Sequence, residues 1–266
     1  VSAITRLDAT PTNASSVNFE VVFTKSVSPV VSGDFTLSGA LASSGAAISG
    51  VTGSGTTYTV TVTTVTSTEG QLGLNFTDVN ASVLDAVGNA ALVAVPASTG
   101  PLYAIDRVVP SVTINQASAQ ADPATSLPIV FDVVFSESVT GLTAGDVALS
   151  GTASGGAVPS VSGSGATYQI SVTGLSVDGT LIATIAPGAA VDAAVNLSLA
   201  STSTDGSVVY DAPNSSLMQI SAGSGHNCGL TSQGQAFCWG LDANGQLGNG
   251  AALFADQRSP SPVDVS

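Results

Sequence analysis

Two stretches of this chain lie over one another without a gap. PTNASSVNFEVVFTKSVSPVVSGDFTLSG (Pro11 to Gly39) and PATSLPIVFDVVFSESVTGLTAGDVALSG (Pro123 to Gly151) are identical at 12 of 29 positions. The identities include Phe19/Phe131, Phe23/Phe135, Gly33/Gly145 and Asp34/Asp146. After a two-residue deletion the match resumes with GSGTTYTVTVT (Gly53 to Thr63) over GSGATYQISVT (Gly163 to Thr173). Further on, LDAVGN (Leu84 to Asn89) lies over VDAAVN (Val191 to Asn196). A period of about 110 residues is the size of a domain, so the chain is a tandem array of domains and not a short-repeat solenoid.

Inside each copy the apolar residues alternate. Val17, Phe19, Val21 and Phe23 share one face of VNFEVVF, and Tyr58, Val60 and Val62 alternate with Thr57, Thr59, Thr61 and Thr63. A period of two is the mark of a half-buried antiparallel strand. Gly- and Ser-rich turns recur at the spacing of a β-sandwich, and no helical stripe is visible. The expected fold is all-β: two seven-stranded sandwiches, 1–106 and 107–212, joined near Asp106–Pro110, then a distinct segment, 213–266.

The order FxVVFSExVxGLxxGDVxLSG, then GSGxxYxxxVxG, VDGTLIATI and DAxGN, resembles the bacterial immunoglobulin-like domains found in tandem in secreted and surface proteins. That resemblance implies an immunoglobulin-like sandwich for each repeat and a role as spacer, stalk or adhesive unit. Val195 stands where the usual Gly of DAxGN is expected, which puts the turn before the last strand in question.

Composition narrows the partners. Only 8% of residues are charged, four basic against eighteen acidic, for a net charge of −14. Neutralising phosphates needs clustered Lys and Arg, so nucleic acid is excluded as a natural partner, and an anionic membrane surface is disfavoured on the same ground. No apolar run is long enough to span a bilayer. The opening VSAITRLDAT reads as a strand and not as a signal peptide. A polar, acidic, Lys-poor chain is expected outside the cell, secreted or at the cell surface.

The stretch SAGSGHNCGLTSQGQAFCWGLDANGQLGNG (Ser221 to Gly250) holds the one His, the one Trp and both Cys. It is similar to a propeller repeat of the regulator-of-chromosome-condensation type. The resemblance implies a structural blade core built on His226, Trp239, Gly245, Gln246 and Leu247, with Asp242 and Ala243 at variable positions. Nucleotide exchange does not carry over with it. A single blade cannot close a ring, so absent blades or a partner must cover its faces.

A turn centred on Gln233 would set Cys228 opposite Cys238 across a hairpin, where a disulfide is expected in an oxidising compartment. Free thiols and a metal site are the alternatives; two Cys and one His leave a tetrahedral zinc shell short of a ligand. His226 read alone could serve as a general base, and Trp239 could stack a ligand.

Catalytic chemistry finds little footing. Nucleophilic catalysis needs a base and an orienting carboxylate beside the nucleophile, and the one His sits in the blade segment. The carboxylate pairs Asp78/Asp85 and Asp178/Asp192 lie near predicted strand ends, where Asp forms turns. No enzyme activity, catalytic residue or cofactor is therefore expected. Calcium is the metal to consider: Asp106 and Asp211 follow equivalent tyrosines, Tyr103 and Tyr210, and Asp34/Asp146 repeat within the domains. Hard cations take such oxygen ligands; linker turns are the alternative. The Thr row of Thr57 to Thr63 is an ordinary solvated face, since the second repeat does not preserve it. Lys25, the one Lys, faces Glu137 in the alignment, so an isopeptide crosslink could exist in one copy only. Five N-x-S/T sequons occur, at Asn13, Asn75, Asn80, Asn196 and Asn214.

The first expectation is a non-enzymatic extracellular structural protein, a stalk or filament subunit that self-associates. Leu92, Val93 and Val95 mark the most apolar candidate edge for strand addition. The second is an adhesin or binding module for a glycan or another cell-surface ligand. The third is an accessory region of a larger secreted hydrolase.

Overall fold

Alternating apolar residues become strands whose inward faces are shut off from water. The computed structural model describes residues 1–91, 100–212, 217–231 and 236–248, and the backbone of 257–262. The first repeat forms β1 (Ala3–Arg6), β2 (Ser16–Ser28), β3 (Phe35–Ser38), β4 (Ala47–Thr63), β5 (Gly70–Phe76), β6 (Leu84–Asp85) and β7 (Tyr103–Ile105). One sheet runs β1-β2-β4, with β6 on the far end of β2; the other runs β3-β5-β7, all pairs antiparallel.

The core lies between these sheets. Val17, Phe19 and Val21 from β2 and Val60 and Val62 from β4 are wholly buried against Leu72, Leu74, Phe76 and Tyr103 from the facing sheet. Two edge-to-face ring contacts bridge the layers, Phe19–Tyr103 at 5.0 Å and Phe23–Phe76 at 5.3 Å. Such pairs add about 0.5–1.5 kcal/mol each beyond area burial.

The second repeat forms β8 (Val112–Gln116), β9 (Ile129–Val139), β10 (Val147–Ser150), β11 (Val158–Thr173), β12 (Gly179–Ile185) and β13 (Ser207–Tyr210), in sheets β8-β9-β11 and β10-β12-β13. Sequence equivalence extends to register: Val21 pairs with Tyr58, and Val133 with Tyr168. Six strands stand here where seven are expected. The counterpart of β6 is reduced to one bridge, Thr140 to Val191.

Asp34 and Asp146 have a structural task. Each caps a single 3-10 turn, accepting from Val31 N and Thr143 N respectively. The last strand of each sandwich is also tied to the segment that follows the first. Ile105 bridges Thr12, and Tyr210 bridges Ala124, both in parallel.

The C-terminal segment is a four-stranded antiparallel meander: β14 (Leu217–Ala222), β15 (His226–Thr231), β16 (Ala236–Gly240) and β17 (Gln257–Pro262). No helix among the described residues is long and apolar enough to cross a membrane.

Candidate functional site

The junction between the sandwiches is where polar chemistry concentrates. After β7 the chain passes through Asp106 and Arg107, which between them touch both sandwiches. Arg107 turns back to the first sandwich and donates to Ala14 O, Thr64 Oγ1, Val65 O and Thr68 O, at 2.6 to 2.9 Å. A guanidinium fork suits such a set because its donors are fixed in one plane. Asp106 is held from both sides: its backbone N–H donates to Thr12 O of the first sandwich at 3.0 Å, its backbone carbonyl accepts from Asn196 Nδ2 of the second at 3.1 Å, and its Oδ1 caps Val108 N.

The turn Asp192–Asn196 is the other wall. Asp192 Oδ1 accepts from Ala194 N and Asn196 N, and Oδ2 from Asn196 Nδ2. Val195 adopts φ 72°, a left-handed conformation that a β-branched residue rarely enters. The turn questioned by the missing Gly is therefore kept, with Val taking the backbone that Gly88 takes (φ 85°) in the first repeat. Asn13 holds it from the first sandwich: its backbone N–H donates to Ala194 O, and its side chain donates to Val195 O and Asn196 Oδ1. Two of the five sequon asparagines, Asn13 and Asn196, are thus engaged in the junction, and Asn196 is buried.

Between these walls, carboxylate oxygens of Asp106, Glu137 and Asp192 lie within 4.8 Å of one another. Like charges so placed repel by on the order of 1–3 kcal/mol per pair, depending on how much water screens them. Burial pushes the Glu137 carboxyl above its ordinary range, and the Asp106, Asp192 and Glu69 carboxylates push it further. Glu137 Oε1 is shut off from water and has no hydrogen-bond partner among the described residues. All three donors are hard oxygens, the set that suits a divalent cation such as calcium.

Of the two calcium candidates named from sequence, Asp106 belongs to this cluster. Asp211 does not: it is exposed at the far end of the second sandwich and donates its N–H to Ala124 O. Glu137 and Asp192 were not singled out as ligands. Asp78 and Asp178 are turn formers, capping Ser82 N and Val83 N in one case and Ala212 N in the other. The candidate edge Leu92, Val93 and Val95 lies outside the described residues.

In the blade, Cys228 and Cys238 are directly opposite in register and form a disulfide, as the hairpin geometry implied. His226 and Trp239 are half-buried, and Leu247 is fully buried. A Cβ on Gly223 would come within 2.7 Å of the His226 ring, so that ring lies flush against backbone, as a packing residue does. Gly245 carries the left-handed turn at φ 73°, and Gln246 Oε1 accepts from Asn244 N. Asp242, read from sequence as variable, is the buried anchor of the turn: it is 1% exposed and its Oδ1 accepts from Leu247 N at 3.0 Å. Met218, Ile220, Leu230 and Leu241 remain exposed.

Comparison with known proteins bears on this segment. A family model described as regulator of chromosome condensation (RCC1) repeat matches residues 219–246. That span runs from within β14 into the Asp242–Leu247 turn. No curated protein matches the chain.

Proposed function

We propose that this chain is a non-enzymatic extracellular structural protein, a stalk or filament subunit built from sandwiches in series. The observation that carries the reading is the junction. Arg107 is fixed to the first sandwich, Asp106 is bonded to both, and Asn13 reaches from the first to the 192–196 turn of the second. A linker tied down on both sides suits a rod better than a flexible tether. In this reading the two repeats are bacterial immunoglobulin-like domains, 1–106 and 107–212, with 213–266 as one propeller-type repeat.

The Cys228–Cys238 disulfide supports an oxidising, secreted location. The exposed apolar side chains of the blade support association, either with further blades or with the next subunit, and head-to-tail contact of that kind propagates without closing. Electron microscopy of the purified protein at high concentration tests the filament form: extended rods or fibres are expected, and compact monomers alone would overturn it.

A second reading, an adhesin or binding module, is favoured by one observation. An open groove of about 450 Å³ is lined by Gln120, Thr125, Ser126, Leu127 and Gln169 in the second sandwich. A glycan array distinguishes the two; specific binding that survives deletion of 215–266 would favour this groove.

A further inference from the structure

We propose that Asp106, Glu137 and Asp192 form a calcium site that locks the two sandwiches together. The internal repeat supplies the decisive comparison. Lys25 aligns with Glu137, and Asp85 with Asp192. In the first sandwich, Lys25 Nζ lies 3.5 Å from Asp85 Oδ2, so an ammonium group stands beside that carboxylate.

The turn beside it is built the same way in both copies. Asp85 Oδ1 accepts from Val87 N and Asn89 N, and Oδ2 from Asn89 Nδ2. Asp192 accepts from Ala194 N, Asn196 N and Asn196 Nδ2 in the same pattern. The scaffold is retained, but where the first copy places an ammonium group the second places another carboxylate, Glu137. The cation that the first copy carries on a side chain comes, in the second, from solution.

An independent observation points the same way. Glu137 Oε1 is sealed from water with no hydrogen-bond donor among the described residues. A carboxylate oxygen has no hydrogen of its own to offer, so a buried one needs a donor, a proton or a cation. The neighbouring guanidinium of Arg107 cannot serve, because it is committed to four oxygens of the first sandwich. Among the described residues, the ion pair that forms is the one in the other repeat, Lys25–Asp85.

The ligand separations, within 4.8 Å, can be spanned by a cation with oxygen bonds of about 2.3–2.6 Å. Calcium accepts irregular mixtures of carboxylate and water, whereas magnesium demands a near-ideal octahedron at about 2.0–2.1 Å. Asp106 comes from the linker, and Glu137 and Asp192 come from the second sandwich. The ion therefore fixes the linker's exit direction. This site stands apart from the stalk reading: a stalk without it remains a stalk, and its loss leaves the filament test unaffected.

The test is calorimetric titration of the chelator-treated chain with CaCl2, alongside Glu137→Lys and Asp106→Asn. One site with a Kd of about 0.1–1 mM is expected, the range of extracellular calcium modules. The E137K variant recreates the pair of the first repeat. It should lose this binding while melting, in chelator, at or above the wild-type temperature, which separates lost binding from lost folding. D106N should bind at least about tenfold more weakly. Calcium at about 10 mM should raise the wild-type transition by a few degrees and leave E137K unmoved. Equal titrations of wild type and E137K, no binding up to that concentration, or an equal response to MgCl2 would each overturn the proposal.

Discussion

Replacing Val195 with Gly should stabilise the second sandwich, although it removes a side chain. Val195 sits at φ 72°, and the left-handed region costs an L-residue about 1–2 kcal/mol, with β-branched residues at the upper end. Against that gain, Gly releases more backbone entropy on unfolding, about 0.5–1 kcal/mol. The side chain is 67% exposed, so little buried area is given up. The net is about 1 kcal/mol in favour of V195G, or roughly 4–8 °C for a domain of this size. Differential scanning calorimetry of the two proteins reads it directly. The reciprocal change, Gly88→Val in the equivalent turn at φ 85°, should lower the first transition by a similar amount. An unchanged or lower transition in V195G would refute the reasoning, showing that the turn is not strained or that the valine makes contacts its exposure conceals.

Three further outcomes are expected. Arg107→Ala removes four charge-assisted hydrogen bonds to the first sandwich and should cost about 2–4 kcal/mol in denaturant unfolding; Arg107→Lys should not rescue it, since an ammonium cannot span the same oxygens. Double replacement of Cys228 and Cys238 by Ser opens a loop with a sequence separation of 10. It should destabilise the blade by about 2–3 kcal/mol, seen as faster hydrogen exchange in β15 and β16. Asp85 is held down to about 2, first by the Asn89 side-chain amide, then by the Asn89 backbone, with Lys25 contributing less. A depressed carboxyl stabilises the fold above its unfolded value of 3.8 and loses that contribution as pH falls toward about 2. An NMR titration of Asp85 should show that midpoint, and Asn89→Ala should raise it.

The strands were legible because their signal is local. Val17 to Phe23 and Tyr58 to Val62 declare an inward face by period two alone, and the structure buries those residues. The cysteine pair was legible for the same reason, since ten residues and one turn fix its register. The junction was not, because its three carboxylates come from positions 106, 137 and 192, and only tertiary folding brings them together. One signal was available: an acid, Glu137, aligned with a base, Lys25, beside an unchanged Asp. That exchange reverses the charge at a corner shared by the two repeats and could have been read as a demand for a cation. Asp242 escaped notice because capping a turn leaves no periodic trace; its spacing to Leu247 was the only clue.

The parallel bridges Thr12–Ile105 and Ala124–Tyr210 determine how each sandwich would bear tension. A chain pulled from its two ends draws the segment after the first strand one way and the last strand the other. Because these neighbours run in the same direction, their cross-links are loaded together and must yield together, instead of opening one at a time like a zip. In the first sandwich the load is spread further. Tyr103 Oη accepts from Leu7 N and Asp8 N and donates to Asn18 O, and Arg6 holds Leu102 O. The lock between first and last strands is thus a shear joint, placed where force enters and leaves the module.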